Sequence, residues 1–438
     1  MSEHLEPGRG MALHTKILLG LLIGATAGVG GNAFAHDSPA LLWLVDNIAQ
    51  PVGQIFLRLL FMVVVPLVFA SVTVGVASLG DLRRIGRVGV KTLLFFLATT
   101  ALAVVLGLVL VNLIRPGESL DPAIRTALLA EYASQAGEKV AASQQSGFGI
   151  GTFVNIVPRN PIAAAAGGDM LGLIFFSLVF GIALTLVRKE SAAPVLRLLE
   201  GINEAVMVMI GFAMRLAPLG VAGLIFSVTA KFGFDVLRSL ALYVVTVLSA
   251  LVLQQFGVVG VLARVLVGIS PRTFFSRCRA LMITAFSTSS SNATLPTTIR
   301  TAEENFGVPR EVAGFVLPLG ATMNMNGTAL FEGMTVLFLA QVFGVHLGLL
   351  TQVVVVALSV ITAIGVAGVP SGSIPLLVMV LGIVGVPGEG IALVLGVDRI
   401  LDMARTVPNV TGDLLTSLVV TRSERLPMVV PRRSDTAA

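Results

Sequence analysis

The sequence predicts an all-α polytopic membrane protein, and three observations support this fold class. Of its 438 residues, 55% are hydrophobic and only 12% are charged, which is about half the charged fraction of a typical soluble domain. The mean hydropathy is +0.94. Apolar runs of about 18 or more residues recur along the whole chain, and each is long enough to cross a bilayer as a helix. We therefore expect eight transmembrane helices together with two re-entrant helical hairpins.

The charge balance and the rare residues exclude several other classes of protein. The net charge of +5 is small and lies in loops and tail, so it indicates membrane topology and not nucleic-acid binding. The single cysteine, Cys278, excludes an internal disulfide framework and a multi-cysteine metal site. The histidines are scattered at the ends of the apolar runs or outside them, so a histidine metal cluster is not expected. They are His4, His14, His36 and His346.

The predicted membrane helices begin near the N-terminus. Residues 16–35 also resemble a signal peptide that ends in Ala-Phe-Ala, but the orientation of the chain requires a membrane helix there. Several of the predicted spans exceed the roughly 20 residues that cross a bilayer, so they are expected to be tilted or broken. In chain order the spans are 14–33, 41–80, 89–114, 168–187, 198–230, 236–269, 309–343 and 388–420.

Two further apolar segments are interrupted in the middle by small and helix-breaking residues. Residues 274–300 contain SSSNATLP, and residues 347–386 contain GVAGVPSGSIP. Gly and Pro punctuate helices, and irregular backbone at membrane depth is tolerated only inside protein or beside a wet cavity. We therefore predict two re-entrant hairpins. Each precedes a polar-striped helix, which suggests the inverted repeats that are typical of secondary transporters.

The distribution of Lys and Arg predicts the orientation. Cationic clusters follow the second, fourth and sixth spans and occur in the C-terminal tail, whereas the long 115–167 loop carries few. Because Lys and Arg concentrate on the cytoplasmic side, both termini are predicted to be cytoplasmic and the 115–167 loop to lie outside. These Arg-rich loops fit a bacterial inner membrane.

Polar residues at helical spacing run along the last span. The five members of this stripe are 4, 3, 4 and 4 residues apart: Asp398, Asp402, Arg405, Asn409 and Asp413. They share a sector of roughly 80° on a helix, and such a face points to a protein interior or a cavity. Asp402 suits an ammonium group and Arg405 suits a carboxylate, so the pair favours a zwitterion with an extra carboxylate. A purely structural Asp–Arg network is the alternative.

In the seventh span, GATMNMNGTALFEG places polar side chains in an apolar background. They are Asn324, Asn326, Thr328 and Glu332. NMNG is a poor helix sequence, so the helix is expected to unwind and expose carbonyl oxygens suited to a hard cation. A kink with interhelical hydrogen bonds is the alternative. Burial favours a neutral Glu332 that carries a proton, unless Arg399 or Arg405 pairs with it.

The serines of the first hairpin supply hydroxyl groups and free backbone N–H groups at its tip. The N-terminus of a half-helix there would attract a carboxylate. An enzyme with one of these serines as nucleophile is not expected, because no His or Lys lies near the motif to act as base. Glu204 and Arg215 in the fifth span are interpreted as structural or interfacial.

Five motifs, in this order, resemble the dicarboxylate/amino acid:cation symporter family, which includes the excitatory amino acid transporters and the archaeal aspartate transporters. They are VPLVFASVTVGVASLG (65–80), SSSNATLPTTIR, PLGATMNMNGTAL, AGVPSGSIP and DRILDMARTVPNVTGD. The resemblance extends over about residues 12–420. It implies a homotrimer with an elevator mechanism, in which a transport domain moves against a scaffold. The implied boundaries are 14–80 and 168–230 for the scaffold, 89–114 and 236–420 for the transport domain, and 421–438 for the cytoplasmic tail.

The resemblance also implies the site residues. Asp402 would hold the substrate ammonium, Arg405 its side-chain carboxylate, and the second hairpin would be the extracellular gate. The other implied substrate-binding residues are Ser290, Ser291, Thr328, Val369 through its backbone, Ser373, Thr406 and Asn409. One sodium site is implied at Gly320, Asn324, Asn409 and Asp413, and another at Thr322, Met325, Ala363, Ile364 and Val366. No cofactor is implied beyond Na⁺ or H⁺ as coupling ions.

The sequence departs from the family pattern where ions are coupled. The family motif NMDGT reads NMNGT here, with Asn326 in place of the Asp. Losing that charge weakens the third sodium site, which Thr99 and Thr100 help to form. Glu332 lies where proton-coupled relatives carry a Glu. We expect coupling to shift from sodium toward protons, with some sodium use retained through Asp413.

The predicted function is secondary active symport of glutamate or aspartate across a lipid bilayer. Relatives for neutral amino acids usually lack an Arg at position 405, and the C4-dicarboxylate branch lacks an Asp at position 402. A symporter for succinate, fumarate or malate is the alternative within transporters. A channel lined by the stripe is the alternative outside them, but two opposed hairpins favour an occluded site over a continuous pore.

Overall fold

A computed structural model describes residues 13–35, 38–85, 87–120, 124, 126, 157–167, 169–365, 368 and 370–428. These residues form helices joined by short connections, with no strand among them. Five described stretches are long and apolar enough to cross a membrane: Thr15–Ala35, Pro39–Ala77, Arg87–Ser119, Lys189–Phe232 and Asp235–Val267. The predicted all-helical membrane fold is therefore confirmed, while the count of eight spanning helices and two hairpins stays a prediction.

The N-terminal half contains eight described helices. They are α1 Leu13–Ala35, α2 Pro39–Leu44, α3 Gln50–Met62, α4 Val64–Ile85, α5 Arg87–Ile114, α6 Pro161–Gly167, α7 Met170–Leu186 and α8 Lys189–Phe232. A wide π-type turn at Val45–Ala49 joins α2 to α3, and Val63 separates α3 from α4. The predicted 41–80 span is thus a broken stack of helices, in agreement with its excess length.

Small residues allow α1 and α8 to pack closely. A Cβ atom on Gly24 would lie 2.5 Å from the Ala222 carbonyl oxygen, and Gly20 and Gly28 meet α8 in the same way. Close backbone approach through small residues is a common way for membrane helices to associate. This packing favours the membrane-helix interpretation of residues 16–35.

The C-terminal half begins with α9 at Asp235–Val252. The helix continues through wide turns at Leu253–Val259 and Ala263–Val267. The described helices that follow are α10 Pro271–Arg277, α11 Arg279–Thr288, α12 Ser291–Arg300, α13 Arg310–Met323, α14 Asn326–Val342, α15 Leu349–Gly365, α16 Ile374–Ile383 and α17 Ala392–Ser423.

The predicted interruptions lie where the sequence places them. The chain reverses between α11 and α12 at Ser289, whose φ of 51° is left-handed; we call α11 and α12 hairpin 1, and α15 and α16 hairpin 2. The seventh span breaks between α13 and α14, where Asn324 and Met325 have ψ values of 68° and 62°. The helix is therefore unwound at Asn324 and Met325, within the NMNG segment, as predicted.

The last helix, α17, lies inside the protein. It contacts hairpin 1 and both halves of the broken span, and every stripe residue is at most 4% exposed. The prediction that this polar face points to the interior is confirmed.

Candidate functional site

A cavity that opens to solvent, with about 240 Å³ of empty space including that opening, lies between the two hairpin tips and the buried face of α17. The break between α13 and α14 closes it from another side through Met325 and Thr328. Of the predicted substrate-binding residues, the following line it: Ser291, Thr328, Ser373, Asp402, Arg405, Thr406 and Asn409. Residues from four separate segments thus converge on one polar space, while their role in binding substrate stays a prediction.

Two arginines and two aspartates form a charged cluster along α17. Arg405 donates through Nε to Asp402 Oδ1 at 3.0 Å, and its Nη2 is 2.8 Å from the same oxygen. Its Nη1 lies 3.1 Å from Asp398 Oδ1, and Arg399 Nη1 lies 3.7 Å from Asp402 Oδ2. The Phe331 ring stacks under the Arg405 guanidinium at 4.2 Å. The formal charges cancel, which is how buried charges are accommodated.

Ser371, at the tip of hairpin 2, binds both aspartates. Its backbone N–H donates to Asp402 Oδ2 at 3.0 Å, and its hydroxyl donates to Asp398 Oδ2 at 3.2 Å. Its φ is 58°, a left-handed conformation that is unfavourable for a residue with a Cβ. The two hydrogen bonds offset that cost and hold the hairpin tip against α17.

The tips of the two hairpins also touch each other. Ser290 caps the N-terminus of α12 by accepting from the Ala293 N–H at 3.1 Å, and its hydroxyl donates to the Gly368 carbonyl oxygen at 2.5 Å. The Asn292 N–H donates to the same oxygen at 3.1 Å. Ser290 is therefore placed between the tips, where it closes the site, and Ser289 and Ser291 line the cavity.

Asn409 joins α17 to the unwound segment. Its Oδ1 accepts from the N–H groups of Gly327 at 2.7 Å and Thr328 at 3.3 Å, and its Nδ2 donates to Thr328 Oγ1 at 3.1 Å. These amides belong to the first turn of α14, so the Asn side chain satisfies donors that a helix N-terminus leaves free. Asn409 holds the break open beside the cavity.

The first predicted sodium set is partly assembled. Asn324 Nδ2 donates to Asp413 Oδ1 at 2.9 Å, and a Cβ on Gly320 would lie 2.5 Å from that oxygen. Asn324 Oδ1 is buried and has no hydrogen-bond partner within the described part of the chain. Oxygen ligands beside a carboxylate suit a hard cation. The side-chain oxygen of Asn409, by contrast, is occupied by backbone donors.

The second predicted sodium set is less complete. Thr322 is exposed, and its hydroxyl donates to Leu319 O at 3.0 Å within its own helix. Met325 and Ala363 are buried, and Ile364 is half-buried. Val366, together with Val369 of the substrate set, lies outside the described residues. This set therefore stays a prediction.

Glu332 is fully buried on α14. The Thr362 hydroxyl on α15 donates to its Oε2 at 2.6 Å, and Oε1 has no partner among the described residues. No described arginine forms an ion pair with Glu332, and Arg405 instead forms ion pairs with Asp398 and Asp402. Neither Arg399 nor Arg405 forms a close ion pair with Glu332 here, and which of them neutralises Glu332, if either does, stays open.

Asn326, the residue expected to weaken the third sodium site, contacts α5. The Thr100 hydroxyl donates to Asn326 Oδ1 at 2.7 Å. Thr99 points elsewhere, because its hydroxyl donates to Phe95 O of its own helix at 2.8 Å. The amide groups of Asn324 and Asn326 both lie against Gly412.

Comparison with known proteins agrees with this architecture. The model of the sodium:dicarboxylate symporter family matches residues 13–423. The chain belongs to this family. Among symporters that resemble it, the proton/glutamate-aspartate symporter of Escherichia coli (strain K12) is 37% identical over 415 residues, covering 94% of this chain and 93% of that protein. The proton/sodium-glutamate symport protein of Geobacillus stearothermophilus is 36% identical over 417 residues, 95% of each.

A relative whose name gives a different substrate has a lower sequence identity to this chain. The C4-dicarboxylate transport protein of Laribacter hongkongensis (strain HLHK9) is 32% identical over 417 residues, covering 94% of this chain and 90% of that protein. Membership in the symporter family confirms the predicted resemblance and makes the chain an integral membrane protein.

The sequence missed two contributors to this symporter site. Asp398 was recognised only as a member of the stripe, although it contacts both Arg405 and Ser371 at the tip of hairpin 2. Its spacing of four residues from Asp402 was a usable signal. Phe331, under the Arg405 guanidinium, had no such signal, because an aromatic residue in an apolar helix is ordinarily core.

Proposed function

We propose that this chain is a secondary active symporter that imports glutamate or aspartate together with protons, sodium ions or both. The observation that carries the proposal is the Asp402–Arg405 pair in the cavity between the two hairpin tips. An acidic amino acid supplies an ammonium for Asp402 and a carboxylate for Arg405. Each side chain then exchanges its internal partner for a substrate group of the same charge as that partner, so neither is left buried and unpaired.

The two spare groups of the cavity suit the second carboxylate of such a substrate. Ser289 and Ser373 line the cavity and have buried hydroxyls with no partner among the described residues, and Ser291, the first residue of α12, lines it beside them. Helix N-termini and hydroxyls are ordinary carboxylate donors. An acidic amino acid adds one net negative charge, which co-transported cations offset.

The charge on Asp402 favours an amino acid over the C4-dicarboxylate alternative. A dicarboxylate has no cation to offer Asp402, so it would place like charges together in a buried site. A continuous pore is disfavoured by the contact of Ser290 and Asn292 with Gly368, which brings the two tips together.

Protons are the proposed main coupling ion. Glu332 is buried without an ion pair, and Asn326 supplies a neutral amide where the family has a carboxylate. Asp413 with Asn324 retains one site suited to sodium. Uptake into proteoliposomes under a pH gradient without sodium, compared with a sodium gradient without a pH gradient, measures which ion drives transport.

The larger-scale features are part of the same proposal. We place α1 to α4 and α7 to α8 in a scaffold, and α5, α9, both hairpins, the broken span and α17 in a moving transport domain. A homotrimer with both termini in the cytoplasm of a bacterial inner membrane fits the family and the Lys and Arg distribution.

Asp402→Ala tests the substrate assignment. Glutamate uptake should fall by roughly 30-fold or more, since a buried charge loses its partner, while succinate uptake is spared or improved. Arg405→Cys should lose acidic substrates as well. Glu204→Gln on α8 is a matched control, because its side chain is exposed and outside the cavity. Unchanged glutamate uptake in the Asp402 variant would refute the proposal.

A further inference from the structure

The tip of hairpin 2 is held against α17 by groups of the chain itself. The Ser371 N–H donates to Asp402 Oδ2 at 3.0 Å, and the Ser371 hydroxyl donates to Asp398 Oδ2 at 3.2 Å. In the proposed function, a substrate ammonium uses Asp402 and a substrate carboxylate uses Arg405. Neither substrate group is assigned to Asp398. The hydroxyl contact with Asp398 therefore does not depend on substrate.

Among the described residues, the Ser371 hydroxyl is the only hydrogen-bond donor to the Asp398 carboxylate. Asp398 Oδ1 accepts no hydrogen bond and is paired by charge alone, with Arg405 Nη1 at 3.1 Å. Asp398 is 4% exposed and Ser371 is 2% exposed. A buried carboxylate that loses its hydrogen bond is costly, and the bond is stronger in a buried site than in water. The hydroxyl contact therefore stabilises the closed hairpin tip strongly for a single bond.

Apolar residues of the proposed scaffold enclose this contact. Ile17 of α1, Phe56 of α3 and Val221 of α8 line one small cavity together with Ser371 and Asp398. None of the described residues that these three helices contribute to the cavity is charged or carries a hydroxyl. The scaffold wall therefore offers Asp398 no substitute for the Ser371 hydroxyl.

We propose that the Ser371 hydroxyl is a latch that closes hairpin 2 over the unloaded site, so that the transport domain can return without substrate. The inference rests on the proposed symport. A symporter completes its cycle only if the unloaded carrier crosses the membrane, and unsatisfied buried charges oppose that step. With the latch formed, the formal charges of the two arginines and two aspartates of α17 cancel, and both aspartates accept a hydrogen bond. In the loaded carrier the contacts of the substrate hold hairpin 2, so Ser371 is a positioning residue for the return step.

Two substitutions separate the hydroxyl from the backbone of Ser371. Its φ of 58° is a conformation that Gly adopts without strain, whereas Ala is strained there as Ser is. Ser371→Ala and Ser371→Gly both remove the hydroxyl, and both keep the N–H that donates to Asp402. Only the Gly variant also relieves the backbone. The same result in both variants therefore assigns an effect to the hydroxyl.

Net uptake and exchange in proteoliposomes separate the return step from the loaded steps. Net uptake of labelled glutamate requires the unloaded carrier to return, whereas exchange with unlabelled glutamate inside the vesicles uses the loaded carrier in both directions. In both variants we expect net uptake to fall roughly tenfold or more, as the loss of a buried hydrogen bond to a charged group provides, while exchange stays within about twofold of the parent. A general loss of structure would lower both rates together.

Ser276→Ala is the matched control, because Ser276 is exposed on α10, and it should leave both rates unchanged. If Ser371→Ala does not fold, Ser371→Gly is read alone, since its backbone is less strained. Net uptake at the parental rate in the Ser371 variants, or an equal fall in net uptake and exchange, overturns this inference and leaves the symport proposal in place. A parent that neither takes up nor exchanges glutamate or aspartate would overturn the proposed function, and this inference with it.

Discussion

At the scale of single residues, the two residues that we propose for ion coupling, Glu332 and Asn326, are buried and hydrogen-bonded to neutral side chains. Glu332 accepts one hydrogen bond, from Thr362, and Asn326 accepts one from Thr100. Both contacts join α14 to a neighbouring helix. A change at either residue therefore alters the charge or protonation at the site with little change in side-chain volume.

Replacing Glu332 separates proton coupling from substrate binding. Glu332→Gln should abolish uptake driven by a pH gradient, because the amide cannot carry a proton, while substrate still binds. Thr362→Val removes the 2.6 Å hydrogen bond and should change the pH dependence of uptake without abolishing it. Glutamate uptake from pH 5 to 9 in sodium-free proteoliposomes measures both. Proton-driven uptake at the parental rate in Glu332→Gln would show that another group carries the proton.

Restoring the family carboxylate at Asn326 should strengthen sodium coupling. Asn326→Asp adds a charge beside Asn324 and Thr100, and the sodium concentration for half-maximal uptake should fall on the order of tenfold. Uptake measured against sodium concentration at fixed pH gives the value. Asn305→Asp is the matched control, since Asn305 bonds Arg277 O at 2.8 Å outside the site. Equal sodium dependence in Asn326→Asp and the parent would contradict the expectation.

Residue-level prediction from sequence succeeded where the signal is periodic. The stripe spacing placed Asp402, Arg405 and Asn409 on one buried face, and α17 carries them there. The spacing could not predict the contact between Ser371 and Asp398, which are 27 residues apart in the chain. Ser371 makes this contact from a left-handed backbone conformation. Such a contact depends on the folded path of hairpin 2, and no local pattern encodes it.

At the scale of elements, helix-breaking residues predicted the interruptions of helices better than continuous apolar runs did. NMNG marked the break between α13 and α14, and SSSNATLP marked the tip of hairpin 1. The wide turns at Leu253–Val259 and Ala263–Val267 lack such a signal. The backbone of these wide turns stays near helical geometry. The position of the turns therefore follows from the packing of α9 against α17 and not from the local composition.

An ion pair and a hydrogen bond join the C-terminal end of α17 to the start of α5. Lys91 Nζ lies 2.6 Å from Glu424 Oε1 and 3.3 Å from the Ser423 carbonyl oxygen, so it also caps the C-terminal end of the helix dipole. The hydrogen bond from Lys91, with the charges of Lys91 and Arg87, holds the pKa of Glu424 below its usual range. This contact couples the last helix to the beginning of α5.

Low pH should break the ion pair between Lys91 and Glu424. A carboxylate with a lowered pKa in the folded state stabilises it above the usual Glu value, and loses the effect as pH falls through the lowered one. Glu424→Gln should therefore melt at a lower temperature than the parent at pH 7, and the difference should shrink as pH falls below the usual Glu pKa of about 4.3. Thermal unfolding in detergent measures this. Glu311→Gln, at an exposed position of α13, is the control; a difference that stays constant or grows as the pH is lowered would contradict the assignment.

At the scale of the whole molecule, the proposed elevator requires the hairpin 2 region to leave α1 during each cycle. In the present arrangement Ile17 of α1 and Ile374 of α16 line one small cavity, together with Asp398 and Arg399. Both isoleucines are 2% exposed, so the two proposed domains are in close contact here. This contact must break if the transport domain slides against the scaffold.

Tying the two domains together at this point should stop transport. Ile17→Cys with Ile374→Cys, in a Cys278→Ser background that removes the native thiol, gives a pair that mercuric ion can bridge. Glutamate uptake should fall at least about tenfold on bridging and recover with dithiothreitol, since one fixed contact blocks the whole movement. The single-cysteine variants, treated identically, should keep their uptake. Uptake that continues in a fully bridged double variant would mean that hairpin 2 never separates from α1, and the domain division proposed for this symporter would have to be redrawn.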